Sequence, residues 1–299
     1  MNIVITGGTG FVGQAVADIY IRAGHQVYVV GREAPVPGAD YLGRDFQAVD
    51  FSKLPAIDIL NHQAGITDPQ HPDPDEIFKV NFRQTLDLFH QAARHGVKKI
   101  VYASSAAVYG HLKPPYHETG PFDPLTAYAV AKLALDRMAD TLPASVSIIG
   151  LRYSNVYGPG ESHKGRLASM VRQVGLQMMK GQRPKLYRHG EQRRDFVHVE
   201  DVARANVLAG RVVGREVFNI GAGYNLSFNE VVQAWNSVLG TDLAPVWIDN
   251  PFANTYQAET LLDISKSKMI GWKPTIPFGK GVMKYRDQLR AMHGRRGNR

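Results

Sequence analysis

Asn2-Ile3-Val4-Ile5-Thr6-Gly7-Gly8-Thr9-Gly10-Phe11-Val12-Gly13 opens the chain: a short β-branched run that empties into glycines. The run predicts a strand at 2–6, the apolar spacing that follows predicts a helix over 11–23, and Gln26-Val27-Tyr28-Val29-Val30 predicts a second strand. That is a β-α-β unit. In its first turn Gly7, Gly10 and Gly13 stand at G-x-x-G-x-x-G spacing, where missing side chains permit a tight turn and close backbone approach to a pyrophosphate. The helix N-terminus, beginning at Phe11 and Val12, then faces the phosphate charge. A dinucleotide site is expected here.

Further strands are predicted at 57–61, 99–103, 147–153 and 216–220. Helical patterns fall at 75–95, 126–142, 167–180, 227–239 (capped by Ser227) and 278–292. Alternation of this kind predicts an α/β fold, a doubly wound parallel sheet of Rossmann type with ligands at the carboxyl ends of its strands. After Tyr153 the pattern loosens into the turn-rich stretch 157–165, where a smaller α/β substrate lobe is expected to begin. The expected division is a dinucleotide domain of 1–155 plus about 194–220, and a nucleotide-sugar lobe of about 156–193 plus 221–299. No linker composition separates them, so the lobes are expected to interleave.

The end of the second strand bears on the choice between NAD and NADP, because a carboxylate there accepts the ribose hydroxyls and repels a 2′-phosphate. Gly31-Arg32 stands there instead, and Arg32 is suited to pair with that phosphate, so NADP is expected, with NAD the alternative. Asp50, after the stretch 46–49, is expected to accept from the adenine amino group. Gln63, Ala64 and Gly65, after the fourth strand, are expected along the cofactor's other edge.

Tyr128 and Lys132 are one helical turn apart and share a face. A free phenol titrates near 10, too high for a base at neutral pH, and a neighbouring ammonium together with a positive nicotinamide ring is expected to lower it. Ser105, in the Ser104-Ser105 pair at a strand's carboxyl end, is placed to hydrogen-bond the reacting oxygen. Hydroxyl, phenol and ammonium behind a nucleotide cradle make a unit for hydride transfer at a carbinol.

Composition narrows the partners. The chain has 299 residues, a net charge of +8 and no cysteine, which excludes disulfides, thiolate metal ligands and a cysteine nucleophile. The charges are spread along the chain, so an anionic small molecule accounts for them better than a nucleic acid, and the basic run 295–299 reads as a solvated tail. Eleven histidines show no paired metal-ligand spacing, and no metal is expected. No apolar run reaches the roughly 18 residues of a membrane span, and no signal sequence is apparent, so no membrane partner and a cytoplasmic location are expected.

The segments 6–13, 102–110, 128–132, 152–159 (Arg152-Tyr153-Ser154-Asn155-Val156-Tyr157-Gly158-Pro159) and 194–202 together resemble the extended short-chain dehydrogenase/reductases, the family of nucleotide-sugar epimerases, dehydratases and decarboxylases. The resemblance implies further cofactor contacts at Asn81, Lys132, Tyr153 and Val156. Ala106-Ala107 replaces the acidic residues of the family's dehydratases and decarboxylases, which leaves a redox epimerase as the best fit.

His163-Lys164-Gly165, Ala168-Ser169-Met170, 184–187, Arg193-Arg194-Asp195-Phe196 and 255–258 are similar to the ADP-L-glycero-D-manno-heptose 6-epimerase branch. That likeness makes Lys164 a second acid/base opposite the tyrosine. It places Ser104, Asn155 and Arg166 at the sugar nucleotide, Tyr187 and Arg194 at its nucleotide end, and Tyr256 at the diphosphate or sugar. Arg166, Gln173 and Ser154 depart from the branch's pattern. A UDP- or dTDP-hexose 4-epimerase is the alternative within the family, and a non-catalytic NADP- or nucleic-acid-binding module the alternative outside it. The family's habit of pairing through the helices at 75–95 and 126–142 implies a homo-oligomer.

Overall fold

The computed structural model describes residues 1–32, 36–68, 71–138, 141–187, 189–250 and 257–294. The expected opening strands form as β1 (Asn2–Thr6) and β2 (Gln26–Val30), followed by β3 (Asp40–Gly43), β4 (Ile59–His62), β5 (Lys99–Ser105) and β6 (Ser147–Tyr153). Short strands β7 (Asn155–Tyr157), β8 (Lys185–Tyr187), β9 (Arg193–Arg194) and β10 (Phe196–His198) leave the sheet, and β11 (Arg215–Ile220) returns to it. Strands β12 (Leu226–Ser227) and β13 (Val246–Ile248) pair with β9 and β8.

The main sheet is parallel in the order β3-β2-β1-β4-β5-β6-β11. Chain order runs outward in opposite directions from β1 and β4, and the crevice between such strands is where an open α/β sheet admits a ligand. The Rossmann-type fold anticipated from the sequence is what the chain adopts.

Helices α1 (Phe11–Arg22), α2 (Pro74–Phe78), α3 (Thr85–Arg94), α4 (Ala127–Met138), α5 (Met170–Met178), α6 (Val199–Ala209), α7 (Phe228–Leu239), α8 (Ser265–Met269) and α9 (Phe278–Gly294) complete the regular structure. α1 packs against α6, while α2 and α4 pack together elsewhere on the sheet. The apolar side chains divide accordingly into one core around Ile3, Val16, Tyr20 and Ala205 and another around Val4, Leu88, Phe89 and Ile100. A third core joins Val171 and Val174 of α5 to Trp235 of α7 and Tyr285 of α9. Trp235 is fully buried, and its indole N–H donates to the Val171 carbonyl at 2.8 Å. Truncating such a side chain to alanine costs roughly 3–5 kcal/mol. No helix among the described residues is long and apolar enough to cross a membrane.

The differences from expectation have physical causes. The sequence pattern does not pick out β3 because it is an edge strand whose residues are mostly exposed and do not alternate. The stretch after it, Phe46–Ala48, is a 3-10 turn capped by Asp45. The helix expected over 75–95 contains a π-helical segment, Lys79–Gln84, that buries Asn81. Such widened turns concentrate at functional sites. The helix expected over 167–180 begins only at Met170, after a 3-10 segment Glu161–Leu167. Ser227 caps α7 as expected, with Glu230 completing a capping box.

Candidate active site

A cavity of about 740 Å³ lies at the carboxyl ends of the central strands. The glycine turn forms its floor: Gly7, Gly10, Phe11, Val12 and Gly13 all line it. Gly7 holds φ +66°, a left-handed conformation, and a Cβ on Gly13 would lie 2.0 Å from the Gly7 carbonyl oxygen. This turn is shaped for backbone approach, and a dinucleotide pyrophosphate fits it. Arg32 and Arg44 line the side beyond β2 and β3, joined by Asp45 and Phe46.

Gln63, Ala64, Gly65, Tyr153 and Val156 line other parts of the wall. Tyr153 hydroxyl donates to Gln63 Oε1 at 3.0 Å, while Asn206 Nδ2 donates to the Tyr153 oxygen at 2.8 Å. Asn81 stands one layer behind. Its amide donates to the Ile66 carbonyl at 2.8 Å and accepts from the Ile66 N–H at 2.7 Å, so it shapes the loop carrying Gly65. Asp50 is not on the cavity wall. Its exposed carboxylate accepts from Ser52 and pairs with Lys53, which holds it below the usual carboxylate range. Because the third strand ends before Arg44, the acid brought to the wall is Asp45, which the sequence reading missed.

Ser104, Ser105, Tyr128 and Lys132 meet on the wall made by β5 and α4. Burial pushes the Tyr128 phenol above its ordinary value, against a hydrogen bond with Ser105 that favours the phenolate. Lys132 donates to the Ala103 carbonyl at 2.7 Å, with Nζ 5.9 Å from the Tyr128 ring centroid. Burial draws Lys132 down to about 8, and the Asp136 carboxylate opposes that fall. Ser104 hydroxyl donates to Asp136 at 3.0 Å. Its bond therefore points to a buried carboxylate, a partner the sequence reading did not assign to it.

The side of the cavity formed by the Glu161–Leu167 segment carries His163, Lys164 and Leu167. Lys164 Nζ is 5.2 Å from the Phe11 ring centroid. Burial lowers its basicity, and the nearby Glu161 carboxylate raises it. Glu161 is itself fully buried and ties the loop ends together, accepting from Gly158 N at 3.1 Å, Ser169 N at 2.5 Å and Ser169 Oγ at 2.8 Å.

Among the described residues, the remaining substrate candidates Arg166, Asn155, Arg194 and Tyr187 are not on this wall. Arg166 forms an ion pair with Asp68, from the loop after β4. Asn155 donates to Thr260 Oγ1 at 3.0 Å, and Arg194 donates to the carbonyls of Arg193 and Ala258 while lying 5.6 Å from the Phe228 ring centroid. Tyr187 sits in the small β8–β13 pair. Tyr256 lies outside the described residues.

Comparison with known proteins places this geometry. ADP-L-glycero-D-manno-heptose-6-epimerase of Brachyspira hyodysenteriae is 29% identical over 98% of this chain and 99% of that one. The crystal structure of ADP-L-glycero-D-manno-heptose-6-epimerase from Helicobacter pylori matches with a TM-score of 0.87 at 31% identity, covering 98% of this chain and 96% of that one. UDP-glucose 4-epimerase from Thermotoga maritima, solved with UDP-glucose, matches with a TM-score of 0.89 at 28% identity, covering 98% and 100%. The profile of the NAD dependent epimerase/dehydratase family spans residues 3–221, across the glycine turn, Ser105, Tyr128, Lys132 and Lys164. The chain belongs to that family.

Proposed function

We propose that this protein epimerises ADP-D-glycero-D-manno-heptose to ADP-L-glycero-D-manno-heptose at C6″, using NADP. The observation that carries the reading is one cavity lined by two proton-handling groups from separate elements, Tyr128 on α4 and Lys164 on the 161–167 segment. When bound, the dinucleotide supplies a reversible hydride acceptor and, oxidised, a positive ring that joins Lys132 in favouring the Tyr128 phenolate. Tyr128 takes the proton from the C6″ hydroxyl as that carbon is oxidised, and Ser105 holds the oxygen. The exocyclic arm then turns over, and Lys164 delivers a proton to the oxygen as the opposite face is reduced. The proton left on Tyr128 and the one lost from Lys164 re-equilibrate through solvent.

Gly7, Gly10, Gly13 and the start of α1 hold the pyrophosphate in this account, with Gln63, Gly65, Tyr153 and Val156 along the dinucleotide. Arg32 and Arg44 on the wall beyond β2 and β3 support NADP over NAD. Arg32→Ala is expected to weaken NADP relative to NAD by roughly tenfold or more, the weight of a hydrogen bond to a charged group; titrating both cofactors into the variant measures it. Self-association through α2 to α4, where Val130 and Met138 are exposed, completes the proposal.

A hexose 4-epimerase is the second reading, favoured by the overlay on the Thermotoga enzyme and needing only Ser105, Tyr128 and Lys132. Proton NMR of the purified protein with ADP-D-glycero-D-manno-heptose and, in parallel, UDP-glucose separates the two. Conversion of the heptose at C6″ supports the first reading, and conversion of the glucose alone overturns it.

A further inference from the structure

Asp136 is a buried charge that the proposed mechanism leaves unused. On α4 it stands one turn beyond Lys132, itself one turn beyond Tyr128, so the three residues follow one helical face. Its carboxylate accepts from Arg152 Nε at 2.8 Å, Ser104 Oγ at 3.0 Å and the Tyr102 hydroxyl at 3.1 Å. The Arg152 and Asp136 side chains are 4% and 3% exposed. Arg152 continues the network to the Tyr109 hydroxyl and the Glu118 carbonyl, both at 2.9 Å, and Tyr109 donates to Asn219 at 2.7 Å. A polar network satisfied at each of these links fixes the geometry around it.

The carboxyl end of β5 is gripped twice from α4. Ala103 receives the Lys132 ammonium, and Ser104 gives its hydroxyl to Asp136. Ser105, the proposed partner of the reacting oxygen, is the next residue along.

We propose that Asp136 is a positioning residue for the reaction: its carboxylate locks the end of β5 and sets the charge state of the Tyr128 and Lys132 pair. The inference rests on reading that pair as the proton-handling groups. Lys132 interacts with Tyr128 and Asp136 on its own helix and with His62 on β4, and it shares the surroundings of Gly65 with the uncharged Asn81 of the π-helical turn; from β6, Arg152 pairs with Asp136 and Tyr153 acts on Tyr128. His62 is driven down to about 3 by burial and by Lys132, so it is neutral. Burial is the larger influence on both groups; against it the Asp136 carboxylate favours the Lys132 ammonium, and it adds to burial in favouring the neutral Tyr128 phenol.

The test uses the purified protein with 13C-labelled lysine side chains, titrated by NMR, with the Lys132 signal assigned through Lys132→Met. In Asp136→Asn the Lys132 midpoint is expected to fall by roughly one pH unit or more, while Asp136→Glu keeps it close to that of the unaltered chain. Asp136→Asn leaves Arg152 buried without its partner, so Asp136→Asn/Arg152→Gln is measured beside it. Removing the anion also eases ionisation of Tyr128, so both limbs of the pH–rate profile are expected to move toward acid. A purely structural role lowers the rate and leaves the limbs in place. An unmoved Lys132 midpoint in folded Asp136→Asn overturns the proposal, and so, where that variant does not fold, does an identical midpoint in the double variant and in Arg152→Gln, which differ only at residue 136. That titration needs no sugar, so failure of the epimerase reading shows separately, as absence of turnover with the Lys132 shift intact.

Discussion

The two walls of the cavity are built differently. The β5–α4 wall presents Ser105, Tyr128 and Lys132 from regular elements, and its ammonium is held at 2.7 Å by a backbone carbonyl. The opposing groups, His163 and Lys164, ride on a short 3-10 segment broken at Gly165, where φ is +52°. One buried carboxylate, Glu161, clamps the ends of that segment. The contrast teaches where chemistry and selectivity reside. In the proposed reaction the oxidation and the first proton transfer tolerate little misplacement and sit on sheet and helix, whereas the second proton donor, and with it the choice of sugar, rides on a loop that can be reshaped without disturbing the sheet.

Removing the reactive group of the rigid wall is expected to have the largest effect. Tyr128→Phe should lower kcat by roughly 10²- to 10⁴-fold, the range for a positioned acid–base group, with the dinucleotide still bound. Steady-state rates together with measurement of bound cofactor check both halves of that statement. On the loop wall, Lys164→Met is expected to cost roughly 10²-fold with the heptose substrate and to leave dinucleotide affinity unchanged. An unaltered rate would show that the second wall has no part in proton transfer, and the comparison would collapse to one catalytic wall.

The smallest of these effects concerns stability. Asp195 is fully buried, and burial raises its carboxyl from 3.8 to about 7 although Ala222, Gly223 and Leu262 donate backbone N–H bonds to it. The folded chain therefore holds a proton that the unfolded chain has released across that interval. The stabilisation is fully present below pH 3.8 and is lost as pH rises toward 7. Asp195→Asn is expected to remove this contribution to the slope, and chemical denaturation at several pH values between about 4 and 7 reads it. An unchanged slope would mean that the backbone N–H groups keep the carboxylate ionised.

How far the sequence could be read follows the same division. β1, β2, β6 and α1 were legible because β-branched runs and apolar spacing reported real burial. Tyr128 and Lys132 were legible because helix geometry alone puts them on one face. Asp136 extends the same spacing by one more turn, and that signal was present. Its importance was hidden because Arg152 and Ser104, which make it a hub, come from other strands. That Asp45 lines the cavity and Asp50 does not was not legible, because β3 is an exposed edge strand with no alternation to announce where it ends. Asn155 and Arg194 were assigned to substrate by likeness, whereas their hydrogen bonds in the chain by itself run to Thr260 and to backbone carbonyls. Those contacts depend on short strand pairings and loops distant in sequence, which local pattern does not encode.

The central claim is transient oxidation at the carbon whose configuration changes. It is tested most directly by running the reaction on ADP-D-glycero-D-manno-heptose in deuterium oxide and following the C6″ proton by NMR. The account predicts an L-glycero product that keeps protium at C6″, because the hydride leaves and returns without meeting solvent. Deuterium at C6″ in the product, or no epimerisation with the dinucleotide bound, would contradict it.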